Sequence, residues 1–295
     1  MAIIPNTECY FLCEWMLNIS QQRLTGPQTT LTNIIRSAAL SVSSVTDQQW
    51  HDFNNYASWR NPYYLVYRDY QYASTNSLLT SLTNYYDFEG NSNDLVGSIN
   101  GSASNVGYNT LYGKIGQGVR NTSGSGIVSF GNNTNFTLVQ NTGIFAFNFW
   151  VRLSSLAGTY SILGNLGTSS HKGFYFYSNP APYVNGVISN GSGAPYTLLN
   201  IILSKLFVDT SFHMVTMQGD GTYFYLYFDG VQVAKCSLGT LTSGNSTNTM
   251  AIFTITTLGG SSTMDFDEFG CWSRALTLPE IFTLFNGGAG VTYPF

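Results

Sequence analysis

In "IFAFNFWVRL", residues 144–153, Phe145, Phe147, Phe149, Val151 and Leu153 alternate with Ala146, Asn148, Trp150 and Arg152. A period of two with one strongly apolar face predicts a half-buried strand. "TYFYLYFDG" repeats the pattern, with Phe224, Leu226 and Phe228 on one face and Tyr223, Tyr225 and Tyr227 on the other. Asp229-Gly230 then predicts a tight hairpin turn into "VQVAKC". In "GFYFYSN", Phe174 and Phe176 oppose Tyr175 and Tyr177, and "MAIFTITTLGG" reads as a further strand. Many short strands separated by Gly/Asn turns predict a mainly β, two-sheet antiparallel sandwich.

The period changes at both ends of the chain. Near the N-terminus, Thr46–Gln49 forms a capping box, and Trp50, Phe53 and Ala57 follow at helical spacing until Asn61-Pro62. "TLTNIIRSAALSV" is a second helix candidate, and "PYYLVYRDYQY" reads as a Tyr-rich strand or extended arm. These signals divide the chain into a small mixed or helical region, residues 1–83, and a β domain, residues 84–295. The closing stretch is "MDFDEFGCWSRALTLPEIFTLFNGG", residues 264–288. Strict alternation there places Phe266, Glu268, Gly270 and Trp272 on one face and Asp267, Phe269 and Cys271 on the other. Thr277 to Glu280 then predicts a helix start, with Thr277 as N-cap, Pro279 in the first turn and Glu280 near the positive helix end. Ile281, Leu284 and Phe285 form its apolar stripe, and Asn286-Gly287-Gly288 ends it.

Composition narrows the setting. Only 9% of the 295 residues are charged, against about 25% in an ordinary soluble domain. Aromatics reach 15%, with 20 Tyr and 20 Phe. The net charge is −4 with no basic run, which argues against nucleic acid as a partner. No apolar run approaches the roughly 20 residues of a membrane span. The N-terminal stretch lacks a basic n-region and a small-residue cleavage site, so synthesis without a signal peptide is expected. Sequons at Asn18, Asn121 and Asn245 are then by-products of composition. Cys9 and Cys13 would share a helix face, whereas Cys236 and Cys271 lie in strand-like runs; the four allow three pairings and are read as buried thiols.

The closing segment, Phe266-Asp267-Glu268-Phe269-Gly270-Cys271-Trp272-Ser273-Arg274-Ala275-Leu276 followed by Thr277 to Ile281, resembles the end of laminin-G-like domains in the concanavalin A-like jelly rolls, relatives of the pentraxins. Three further stretches share the resemblance: "YYDFEGNSNDLVGSINGSAS", "FAFNFWVRL", and "FHMVTMQGDGTYFYLYFDGVQVA" with Phe212-His213 at the usual Trp-His. The resemblance spans about residues 84–295 and implies a jelly-roll sandwich. It also implies a calcium ion at the sandwich rim, for which Asp87, Asn91, Asp94 and Asp267 are the candidate ligands. The same Asx residues are equally ordinary turn formers. Retaining glycosidases of this fold need two carboxyls about 5.5 Å apart. Asp265 and Asp267 share a face here while Glu268 points away, so no catalytic residue is assigned. His213 is read as a support of the hairpin.

The Tyr faces carry the binding expectation. Tyr175, Tyr177, Tyr223, Tyr225 and Tyr227 offer flat rings with hydroxyls, suited to a glycan or to a second subunit. Together these features predict a non-enzymatic, lectin-like protein of a tailed-phage virion: a head fibre, decoration or tail protein, made in the host cytoplasm and displayed on the virion surface. Residues 1–83 would contact other virion proteins, and the chain would form a homo-oligomer, a trimer, through residues 63–72 and the helix after Thr46. A carbohydrate-active enzyme or its binding module, and a purely structural capsid or tail subunit, are the alternatives.

Overall fold

The computed structural model describes residues 76–165, 172–178, 184–190, 199–203, 207, 209–238, 249–253 and 263–295. Residues 73–295 form one compact unit. The expected elements near Thr46, the Tyr-rich segment 63–72, Cys9 and Cys13, and the sequons at Asn18 and Asn245 lie outside the described residues.

Among the described residues, two antiparallel sheets of eight and seven strands make up the unit. The first runs in the order β13 (Val231–Ser237), β12 (Tyr223–Phe228), β11 (His213–Asp220), β6 (Ile144–Leu153), β15 (Met264–Trp272), β4 (Gly118–Asn121) and β3 (Val106–Asn109). β1 (Leu82–Tyr86) also pairs with β15. The second runs β10 (Leu199–Leu203), β9 (Val184–Asn190), β8 (Lys172–Ser178), β7 (Tyr160–Gly164), β14 (Met250–Phe253), β5 (Ile127–Gly131) and β2 (Ser102–Ser104). Among the described residues, three α-helices, α1 (Asn76–Leu79), α2 (Thr134–Asn141) and α3 (Leu278–Phe285), and a 3-10 turn at Asn286–Gly288 complete it. This is the two-sheet sandwich expected from the alternating runs.

The alternation fills the space between the sheets. Phe145, Phe147, Phe149, Phe224 and Leu226 from the eight-stranded sheet meet Phe174, Phe176, Ile162 and Ile252 from the other, all buried. Aromatic rings stack across the gap: Phe147 and Phe174 have centroids 5.5 Å apart. The β12–β13 turn needs positive φ at both central residues, which Asp229 (49°) and Gly230 (80°) supply. His213 Nδ1 lies 2.8 Å from Asp229 Oδ2, and Met214 N–H donates to Asp229 Oδ1, so His213 braces this hairpin.

A second apolar layer lies on the outer face of the eight-stranded sheet. Trp150, Met214, Tyr227 and Trp272 are covered there by Leu276 and by Ile281 and Leu284 of α3. Thr277 is the N-cap and Asn286 ends the helix in the left-handed region. The Glu280 carboxylate accepts from Thr277 N–H and from both terminal nitrogens of Arg274, at 2.8 and 2.6 Å, so it is a buried ion-pair partner as well as a helix-start acid.

The closing strand departs from strict alternation. Met264 and Phe266 face the inter-sheet core before Glu268, but Phe269 and Cys271 face it afterwards. Register shifts between Asp267 and Gly270, and Glu268 has φ 51°. One bulged residue exchanges the two faces of the strand, so Trp272 joins the outer layer while Phe266 stays in the core.

Candidate functional site

Tyr223, Tyr225 and Tyr227 project from the outer face of β12 because Phe224, Leu226 and Phe228 fill the core. They differ in access. Tyr227 is 5% exposed, packs in the layer under α3 and bonds to Gln218, so it has no ring face to offer a ligand; the expectation for this residue is corrected by the helix that covers it. Beyond the helix, Tyr223 is 38% exposed and Tyr225 partly exposed, with centroids 6.3 Å apart.

Polar groups surround this pair. Lys235 stands opposite Tyr225 on β13, and its Nζ lies 3.9 Å from the Tyr223 ring centroid and 5.4 Å from that of Tyr225. Tyr225 donates its hydroxyl to Asp220 Oδ2 at 2.8 Å, at the end of β11. Asp220 Oδ1 accepts from the N–H groups of Thr222 and Tyr223 at 2.8 and 2.7 Å. The Tyr223 N–H bond leads in holding the Asp220 carboxyl below its ordinary range, despite some desolvation. The hydrogen bond to Asp220 pushes the Tyr225 hydroxyl up to about 12. At neutral pH the cluster therefore presents two rings, a fixed hydroxyl, a carboxylate and an ammonium.

Tyr175 and Tyr177 belong to the other sheet, on the opposite side of the core. Their centroids are 4.8 Å apart, and burial followed by the Tyr177 neighbour raises the Tyr175 hydroxyl to about 12. The five tyrosines thus form two faces, one on each sheet.

The candidate calcium ligands are dispersed among backbone partners. Asp94 accepts from Tyr85, Val96 and Ile99 N–H groups and from Asn84 Nδ2. Asp87 accepts from Glu89 N–H, and Asn91 closes its own turn through Glu89 and Asn93. Asp267 accepts from Lys114, Ile115 and Glu268 N–H groups, on a different segment. Among the described residues no three His, Cys, Asp or Glu side chains form a metal-holding group. Asn91 and Asp94 accept as ordinary turn formers do, and Asp267 accepts from a segment 153 positions away.

The three acids of β15 are buried and engaged. Asp265 is 2% exposed, Asp267 0% and Glu268 3%. Glu268 does not turn into the core: the bulge directs it to Tyr85, whose hydroxyl donates to it, and to Thr292. Burial raises the Glu268 carboxyl to about 8. Burial and then Glu268 push Asp267 up as well, opposed by its three N–H bonds.

Asp265 reveals an arrangement that the sequence did not disclose. It stands opposite Arg120 of β4 and Arg152 of β6. Arg120 Nη2 and Arg152 Nε both reach Asp265 Oδ2, at 2.9 and 2.6 Å. Arg120 lies over the Tyr112 ring at 4.1 Å and Arg152 over Phe212 at 4.5 Å. Arg152 stood out only as the one charge on its strand's polar face; nothing local marks Arg120 as its partner.

A family profile described as the concanavalin A-like lectin/glucanases superfamily matches residues 122–282. Among solved structures, the binding domain of botulinum neurotoxin DC, determined with rat synaptotagmin II, aligns with TM-score 0.56 at 17% identity, covering 71% of this chain and 52% of that one. The serotype D ligand-binding domain, in complex with N-acetylneuraminic acid, aligns with TM-score 0.56 at 16% identity, covering 72% and 52%. Domain 4 of AbnA, an extracellular arabinanase from Geobacillus stearothermophilus, in complex with arabinotriose, gives TM-score 0.53 at 15% identity, covering 70% and 98%. The aligned region spans about half of the toxin domains' length. At these identities the likeness shows the fold. No curated protein matches the sequence.

Proposed function

The chain belongs to the concanavalin A-like lectin/glucanases superfamily, and we propose that it is a non-catalytic glycan-binding protein displayed on a tailed-phage virion. The observation that carries the glycan reading is the Tyr223–Tyr225 pair with Asp220 and Lys235 beside it. A pyranose has an apolar face, which a Tyr ring covers, and equatorial hydroxyls, which need donors and acceptors at fixed positions. Here one ring is exposed and the other partly so, while the hydroxyl and carboxylate are oriented by hydrogen bonds before any ligand arrives. Two neighbours of the same fold, determined with N-acetylneuraminic acid and with arabinotriose, support this reading.

The non-catalytic part of the reading rests on the acids. Double displacement needs one carboxylate free to attack and one acid free to donate. Asp265 is held by two arginines, Asp267 by three backbone N–H groups, and Glu268 by Tyr85 and Thr292. Virion display and a trimeric assembly are our proposals from the low charge and the Asn-, Thr- and Tyr-rich composition.

A glycan array probed with the full chain, followed by a reducing-end assay on any glycan bound, tests the reading. Binding without release of new reducing ends is expected. A silent array, or turnover of the bound glycan, overturns it.

A further inference from the structure

We propose that Arg120 and Arg152, at the end of the eight-stranded sheet's outer face left open by α3, bind the carboxylate of an acidic saccharide. The proposal rests on the glycan-binding reading and adds a second site: Tyr225 lies in register with Ala146 through Gln218, at the other end of β6 from Arg152.

The argument begins with a surplus of charge. A buried carboxylate is neutralised by one guanidinium; Asp265, with its side chain 2% exposed, has two. The chain has only 11 Lys and Arg and a net charge of −4, so pairing two of them with one acid leaves a local positive charge that packing alone does not require. Neither arginine is buried: their side chains are 31% and 29% exposed.

The donors left over have a defined position. Arg120 uses Nε and Nη2 on Asp265. Arg152 uses Nε and Nη2 on Asp265, with Nη2 also donating to the Leu111 carbonyl. The Nη1 groups of both have no acceptor among the described residues. Each guanidinium is held by Asp265 on one edge and by an aromatic ring, Tyr112 or Phe212, beneath it. Such planar forks match a carboxylate, and their fixed orientation lowers the entropy lost on binding. Beside them, Leu111 is 72% exposed and Tyr112 half-buried, giving apolar surface for the sugar ring that carries the acid.

The test compares matched glycans on one array, each uronate- or sialate-bearing member beside its methyl ester, followed by calorimetric titration of the strongest pair with the full chain. The free acid should bind about tenfold or more tightly than its ester, the size of a lost charge-assisted hydrogen bond. Added salt should shrink the difference. R120Q should remove most of the preference for the acid, so that acid and ester bind with similar affinity in the variant. R120K, which keeps the charge but loses the fork, should fall between. If R120Q unfolds, R120K decides: an acid-to-ester ratio equal to that of the unaltered chain overturns the proposal. Equal affinity for acid and ester, or a preference that survives in folded R120Q, overturns the proposal. An array that shows neutral glycans alone overturns this proposal and leaves the broader reading standing; a silent array overturns both.

Discussion

Trp272 donates its indole N–H to the carbonyl of Leu78 at 2.7 Å, across 194 positions of sequence. Leu78 is itself 1% exposed and packs in the outer layer with Leu82 and Trp272. The sandwich therefore draws on residues before its first strand. A fragment beginning at residue 73 should melt cooperatively, whereas one beginning at 84 should lose several kcal/mol from two buried leucines and an orphaned indole donor. Thermal melts of the two fragments measure this; equal midpoints would show that α1 contributes nothing.

Arg274 offers a second test. It donates to both oxygens of Glu280 and to the carbonyls of Ser77, Thr80 and Ala275. Glu280 is 3% exposed. Arg274→Ala would leave a buried carboxylate supported by Thr277 and Ser77 without a cation, a loss of about 3 kcal/mol. Urea denaturation should show the midpoint falling without a change in slope. A loss below about 1 kcal/mol would mean that the pair is as weak as a solvent-exposed one.

Stability should fall as pH rises from the weakly acidic range to about 8. The folded-state Glu268 carboxyl sits at about 8, raised first by burial, against about 4.3 in an unfolded chain. The folded state therefore holds an extra proton between these values, and stability declines with pH until the folded value is passed. Between pH 6 and 9 the change is on the order of 3 kcal/mol, or roughly 5–10 degrees in midpoint. Glu268→Gln should reduce this slope, leaving the part that the buried Asp267 carboxyl contributes. A wild-type midpoint that rises over that interval would contradict the assignment.

Local pattern revealed the elements whose physics is local. The alternation in residues 144–153 and 223–228 and the Asp229-Gly230 turn mark a strand and a hairpin wherever they occur. The closing strand misled because a bulge at Glu268 inserts one residue and reverses the faces after it, and neither Asp267 nor Phe269 signals this. Tyr227 misled for another reason: alternation places it outward, but cover by α3 depends on a segment some fifty positions later. The Arg120–Asp265–Arg152 cluster exists only through strand pairing across 145 and 113 positions, beyond the reach of any local pattern.

The central claim, that the open tyrosine face beside Asp220 and Lys235 binds a glycan, is tested most directly by titrating the full chain with an array-selected neutral oligosaccharide, wild type beside Y223A/Y225A. Both rings are accessible, so the double variant should keep the wild-type melting midpoint and lose about tenfold or more in affinity. Unchanged affinity in the folded double variant, or no binding by the wild-type chain, would contradict the claim.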